Sequence, residues 1–126
     1  MSGLHVWPAD GLFSQYIRAR DRACQRCFLV GPLDCSHWHT RRDLRTRWDA
    51  ENSVSLCRNC HNYMARHPRE HRLFFEQRLG EERFAALLKR INEPLALKVA
   101  PAAEAKRLRE LLKAQERSEE ISHEGA

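Results

Sequence analysis

Two cysteine pairs constrain this chain more than any other feature. Cys24-Gln25-Arg26-Cys27 and Cys57-Arg58-Asn59-Cys60 are both CxxC, with 29 residues between Cys27 and Cys57. Two intervening residues let both sulfurs of a pair turn inward around one ion. Two such pairs then supply four thiolates, the donor set of a closed tetrahedral zinc site that holds a fold together rather than catalyses. The chain needs such a staple. It has 126 residues, of which 8% are aromatic and 31% charged, so its apolar core is thin. The N-terminus shows no basic start followed by an apolar stretch, so the expected setting is cytoplasmic, where metal binding is favoured over disulfides. No apolar run approaches the ~20 residues needed to cross a bilayer, which excludes a membrane-spanning helix. Cys35 is left over and is expected to behave as a small buried hydrophobe.

Charge is unevenly placed. The formal net charge is +5, and residues 16–72 alone carry 12 arginines, no lysine and 6 acids. The flanks are close to neutral. Arginine presents a planar fork that grips phosphate oxygens in pairs, so this segment predicts a polyanion-binding domain. The competing expectation is an ordinary solvated charged face.

Apolar spacing predicts a helix over 10–22, with Asp10 as its N-cap. A Gly31-Pro32 turn follows the first cysteine pair. Short strands are predicted at 36–40 and 52–57, joined by a charged loop. A helix is expected from Arg58 to about Arg66, then two amphipathic helices at 69–79 and 81–92 broken at Gly80. Residues 93–101 read as a linker. Residues 102–120 have strong helix composition, and the last six are expected to fray. On that last helix Leu108, Leu111 and Leu112 would serve equally as a strip joining a homodimer or as a packed or free tail. Trp38 and Trp48 are expected in the core, and His67 and His71 on a solvated helix face.

Three residues between and just after the cysteine pairs carry chemistry. His37 lies on the first strand, Asn52 opens the second, and His61 follows Cys60 on the first turn of a helix. A strand-loop-strand-helix hairpin would bring them together, as in a one-metal phosphodiesterase. A neutral histidine can take a proton from water near pH 7. A second histidine can hold a divalent cation that neutralises phosphate charge. The asparagine amide can pin the intervening loop or sit close to the metal. Arg41, Arg42, Arg45 and Arg47 in that loop are candidates for phosphate contacts.

The order CxxC, His, Asn, CxxCH resembles the HNH endonucleases built on a treble-clef zinc scaffold, and more closely the phage NinG-type recombination nucleases. The resemblance rests on Phe13-Ser14-Gln15-Tyr16-Ile17-Arg18 with Arg20-Asp21, on Cys24 and Cys27, and on Cys35-Ser36-His37. It continues through Arg41-Arg42, Arg47-Trp48-Asp49, Asn52 and Leu56-Cys57-Arg58-Asn59-Cys60-His61. It spans roughly residues 12–62, about half the chain.

The resemblance implies a small α+β fold, a zinc-stapled ββα-metal domain with flanking helices over residues 1–92, then a linker and C-terminal helix over 93–126. It further implies His37 as general base, His61 as ligand to a catalytic Mg2+ or Mn2+, Asn52 as the loop-ordering asparagine, and a structural Zn2+ at Cys24, Cys27, Cys57 and Cys60. The expected activity is metal-dependent hydrolysis of DNA phosphodiester bonds, acting in recombination or DNA processing in a host cytoplasm if phage-encoded. One position departs from the pattern. Many HNH enzymes carry a metal-binding acid immediately before the base, and here that residue is Ser36. Asp34, His39 and His67 are alternative ligands, as is a mostly water-bound ion. The rival expectation is a non-catalytic, zinc-stabilised DNA-binding module.

Overall fold

The computed structural model describes residues 4–94 and 100–124, and side-chain surroundings as far as residue 120. Residues 95–99 of the expected linker lie outside the described part. Helix α1 covers Pro8–Asp21, strand β1 Asp34–His37, strand β2 Ser53–Leu56, helix α2 Arg58–Arg66, helix α3 Pro68–Ile91 and helix α4 Pro101–Glu124. A single turn of 3-10 helix, Ala50–Asn52, leads into β2. The result is a small α+β fold with one two-stranded antiparallel sheet.

Local chemistry explains the element ends. Helix α1 begins at Pro8, whose fixed φ suits a first helical position. Asp10 is not the cap itself, because the cap position falls on Trp7. Instead the Asp10 carboxylate reaches back one turn and accepts the Trp7 backbone N–H at 2.8 Å. The helix stops where Arg22 turns left-handed and its N–H bonds the Arg18 carbonyl. Strand β1 starts and ends earlier than the alternation at 36–40 suggests. It pairs Asp34 with Leu56 and His37 with Ser53, and His39 falls beyond it. Helix α3 consists of two helical stretches meeting at Gly80, where φ 80° and ψ 169° belong to a region open essentially to glycine.

Two apolar clusters form the interior. The first joins Val54 and Leu56 of β2 to Met64 of α2 and to Phe75, Leu79, Phe84 and Leu87 of α3, beside Cys24, Cys57 and Cys60. Trp38 packs against it, with ring centroids 5.1 Å from Phe84. The second joins Ala9, Phe13 and Ile17 of α1 to Trp48 and to Ala105 and Leu108 of α4. Helix α4 is therefore laid along α1, burying Leu108 and Leu112. Polar ties run alongside, including Arg22 to Glu119 at 2.8 Å and Arg107 to the Trp48 carbonyl at 3.1 Å. Of the leucines considered for a dimer strip, Leu108 and Leu111 thus pack with the chain's own first helix. No helix among the described residues is long and apolar enough to cross a membrane.

Gly80 tests the account of α3. A Cβ there would meet nothing within 4 Å, so the cost of Gly80→Ala is conformational alone. Denaturant unfolding should show a loss of about 1–3 kcal/mol. An unchanged midpoint would mean that the two halves of α3 are not held at that angle.

Candidate metal centre and adjoining cleft

The four CxxC cysteines converge. Cys24, Cys27, Cys57 and Cys60 place their sulfurs within 4.8 Å of one another, and they are the only group of three or more such ligand side chains among the described residues to do so. Cys27 Sγ lies 3.7 Å from Cys57 Sγ. Four sulfurs about 2.3 Å from a zinc ion would be about 3.8 Å apart, so the spacing fits a metal of that size. Backbone folding explains the approach. The Phe28 and Leu29 backbone returns onto Cys24, with Phe28 N–H donating to the Cys24 carbonyl and Cys24 N–H to the Leu29 carbonyl. The second pair straddles the start of α2, with Cys57 at the cap position and Cys60 on its first turn.

Electrostatics also suits a cation. Burial works against a Cys24 thiolate, yet N–H groups of Cys27, Cys57 and Arg26 outweigh it and bring that thiol down to about 6. Cys60 is pushed up to about 12, by burial first and by crowding from the other sulfurs. Arg26 points Nη1 at Cys60 Sγ from 3.5 Å and stacks 4.0 Å over the Tyr63 ring. Four thiolates packed this closely repel one another unless a metal ion lies between them. The cluster could hold a structural metal such as zinc.

Beside it lies an open cleft of about 400 Å³, which both histidines line. Helix α1 contributes Asp10, Phe13 and Arg18, and the β1 region contributes Leu33, Asp34, Cys35 and His37. Arg41 enters from the loop, and Arg58 and His61 from α2. His37 Nε2 is 2.8 Å from the Arg47 carbonyl. A carbonyl only accepts, so Nε2 carries the hydrogen and Nδ1 keeps its lone pair. Burial, and after it the charges of Arg41 and Arg47, push this imidazole down to about 4 against the pull of that carbonyl. It is neutral at pH 7, and the same shift makes it a weaker proton acceptor than a free imidazole.

His61 Nδ1 stands 3.0 Å from Asp34 Oδ2, and Arg58 Nε is 3.1 Å from the same oxygen. Among the three substitutes considered for the missing acid, only Asp34 meets His61 in the cleft. His39 instead pairs with Asp43 at 2.9 Å. His67 stacks on Tyr63, with centroids 3.9 Å apart. Ser36 is buried, its hydroxyl has no hydrogen-bond partner, and it does not line the cleft. Asp34, Cys35 and His37 on either side of it in β1 all line the cleft.

Asn52 is 0% exposed and clamps the loop. Its Oδ1 accepts the His39 N–H at 2.9 Å, and its Nδ2 donates to the carbonyls of His39 and Thr46. Of the two placements open from sequence, the structure shows the loop-pinning one.

The four loop arginines separate. Arg41 and Arg42 are exposed, and Arg41 reaches the cleft. Arg45 is spent on Asp43 and the Glu93 carbonyl, and its bonds hold the Asp43 carboxyl down to about 2. Arg47 is 3% exposed and grips Asp10 through Nε and Nη2. It also donates to the His5 carbonyl. Arg45 and Arg47 therefore face the protein, not the solvent where a phosphate would lie.

Arg18 and Arg58 line the cleft and were not singled out from sequence. For Arg58, adjacency to Cys57 was the available signal. His71 also differs from its expected solvated position, since it is half-buried against Phe75 with its Nε2 unpartnered. Cys35 is partly buried beside the second cluster, and burial pushes its thiol up to about 11.

No protein-family model, no curated protein and no solved structure matches the chain.

The half-buried, neutral His37 predicts acid sensitivity. Its ring titrates near 4 when folded and near 6.5 when unfolded, so the unfolded chain binds more protons between those values. Its stabilisation is full above about pH 6.5 and is lost as pH falls towards 4, by up to about 3 kcal/mol. Unfolding free energies measured across that window should fall more steeply for the native chain than for His37→Asn. Parallel curves would show that the ring is not held neutral by burial.

Proposed function

We propose that this chain is a metal-dependent HNH-type endonuclease that hydrolyses DNA phosphodiester bonds, with zinc at the four cysteines as a structural ion. The supporting observation is the shared cleft, in which a neutral imidazole with a bare Nδ1 (His37) and a carboxylate–imidazole pair (Asp34 and His61) line one basic hollow. Asp34 and His61 would hold a Mg2+ or Mn2+ ion, with water and phosphate oxygens completing the shell, as magnesium tolerates. When bound, that ion supplies charge neutralisation at the scissile phosphate.

The chain's own groups do the rest. His37 Nδ1 would take the proton of the water that bonds to phosphorus, the P–O3′ bond would break with the 3′ oxygen leaving to be protonated by solvent, and the Arg47 carbonyl would steady the imidazolium through Nε2–H. Arg18 and Arg41 offer donors to non-bridging oxygens, and Arg58 would join them on leaving Asp34. Asn52 acts as a positioning residue, because it fixes the loop that delivers the Arg47 carbonyl.

One observation favours a second reading, a zinc-stabilised DNA-binding module without catalysis. Ser36 occupies the usual acid position and is buried, and Asp34, the available substitute, is already paired with Arg58.

Plasmid nicking separates the two readings. The native chain should convert supercoiled to nicked DNA with Mg2+ or Mn2+ but not without added metal. His37→Ala should cut at least about 100-fold more slowly while binding DNA equally. Equal cutting by both proteins would reject His37 as the base, and cutting by neither would reject the nuclease reading.

Zinc has its own test. The purified chain should carry one zinc ion, and Cys60→Ser should lose it together with cooperative unfolding. A strong chelator should unfold the native chain, since zinc binding in small domains contributes on the order of 10 kcal/mol to folding. A chain that stays folded and metal-free would refute this assignment.

A further inference from the structure

Phe28, Leu29 and Val30 are three consecutive large apolar side chains left 74%, 52% and 80% exposed. Their backbone is tied down, since Phe28 N–H donates to the Cys24 carbonyl and the Leu29 carbonyl accepts from Cys24 N–H. Phe28 has φ 67°, a left-handed conformation that bulky residues rarely adopt and that glycine would occupy without strain. No internal packing explains an aromatic ring there, because the side chain stands in solvent. The tip is therefore apolar, with Phe28 held in an unfavourable backbone state.

The loop leads directly into Leu33 and Asp34, which line the cleft together with Arg18, Arg41, Arg58 and the carboxylate of Asp10. We infer that Phe28, Leu29 and Val30 form a wedge that enters the base stack of DNA held at this cleft, so that the protein prefers unstacked or flexible steps. This inference rests on reading the cleft as a DNA site. Val30 is three residues from Leu33, so the chain between them spans at most about 10 Å. Arginines would grip the backbone, and an apolar tip within that reach would fit between bases, as apolar wedges do in proteins that kink the duplex.

The test uses the zinc-loaded full chain carrying His37→Ala, so that DNA is bound but not cut. The probe is a short duplex with 2-aminopurine at a pyrimidine–purine step, alongside the same duplex with a one-base bulge. The wedge should raise 2-aminopurine fluorescence and favour the bulged probe. Adding Phe28→Gly should abolish the fluorescence rise and weaken binding to the bulged probe on the order of tenfold. Affinity for regular duplex at low salt should be retained. Phe28→Gly relieves the left-handed strain, so its zinc content should be unchanged and its melting temperature no lower. Leu29→Ser with Val30→Ser provides a second variant with the backbone state untouched.

DNA binding with no fluorescence rise, or a rise unaltered in both variants, would overturn the wedge and leave the DNA reading standing. Absence of DNA binding would overturn both. Binding to phosphatidylserine vesicles, or self-association in sedimentation, that the same substitutions abolish while DNA distortion persists would assign the tip elsewhere.

Discussion

The convergence of four sulfurs is the constraint from which the remaining geometry follows. It joins the turn after α1 to the junction of β2 and α2, segments about thirty residues apart in sequence. Because Cys60 belongs to the first turn of α2, the position of His61 follows from that of the sulfur beside it. Cys57 directly follows β2, so the sulfur cluster also anchors the end of the strand that sets Asp34 opposite Leu56 and His37 opposite Ser53. A two-stranded sheet has little independent stability in water. Here it is closed at one end by the cysteines and covered by α1 and α3.

The second organising element is a buried acid–base lattice around the loop between His37 and Asn52. Asp10 receives Arg47 and the Trp48 indole N–H. Burial opposes the Asp10 charge, but these donors and the Trp7 N–H hold its carboxyl below the ordinary range. Asp21 plays the same part under β2, meeting Arg20, Arg78 and the Ser55 N–H. Asp49 and Glu51 receive Arg90. Removing one partner of such a pair leaves the other charge unsatisfied, so these contacts restrict the loop to one conformation. The proposed base depends on that restriction, since its tautomer is set by a carbonyl of the loop itself.

Sequence spacing was sufficient for the cysteine cluster, the helix over 58–66, the break at Gly80 and the juxtaposition of His37 with His61 in one cleft. Each rests on a local rule with short reach, such as CxxC geometry or the freedom of glycine. Other features were not accessible that way. Residues 36–40 alternate, but the loop clamp at Asn52 takes the His39 backbone out of the sheet. Charge composition counted 12 arginines as a polyanion surface, whereas Arg20, Arg45 and Arg47 are bound inward by carboxylates and carbonyls. Partnering of that kind is set by tertiary contacts. The final helix followed the same logic, since its leucines offered a strip but only the fold shows α1 occupying it. Asp34 meeting His61 likewise required the sheet register.

Two distinct ion sites are proposed on neighbouring elements, one of sulfur and one of carboxylate and imidazole. Anomalous diffraction at the zinc and manganese edges, from crystals grown with zinc and soaked in Mn2+, tests this most directly. Zinc signal should centre among Cys24, Cys27, Cys57 and Cys60, with a separate manganese peak at Asp34 Oδ and His61 in the cleft facing His37. Manganese absent from the cleft, with Arg58 still seated on Asp34, would contradict the hydrolytic centre and leave a zinc-stapled binding domain.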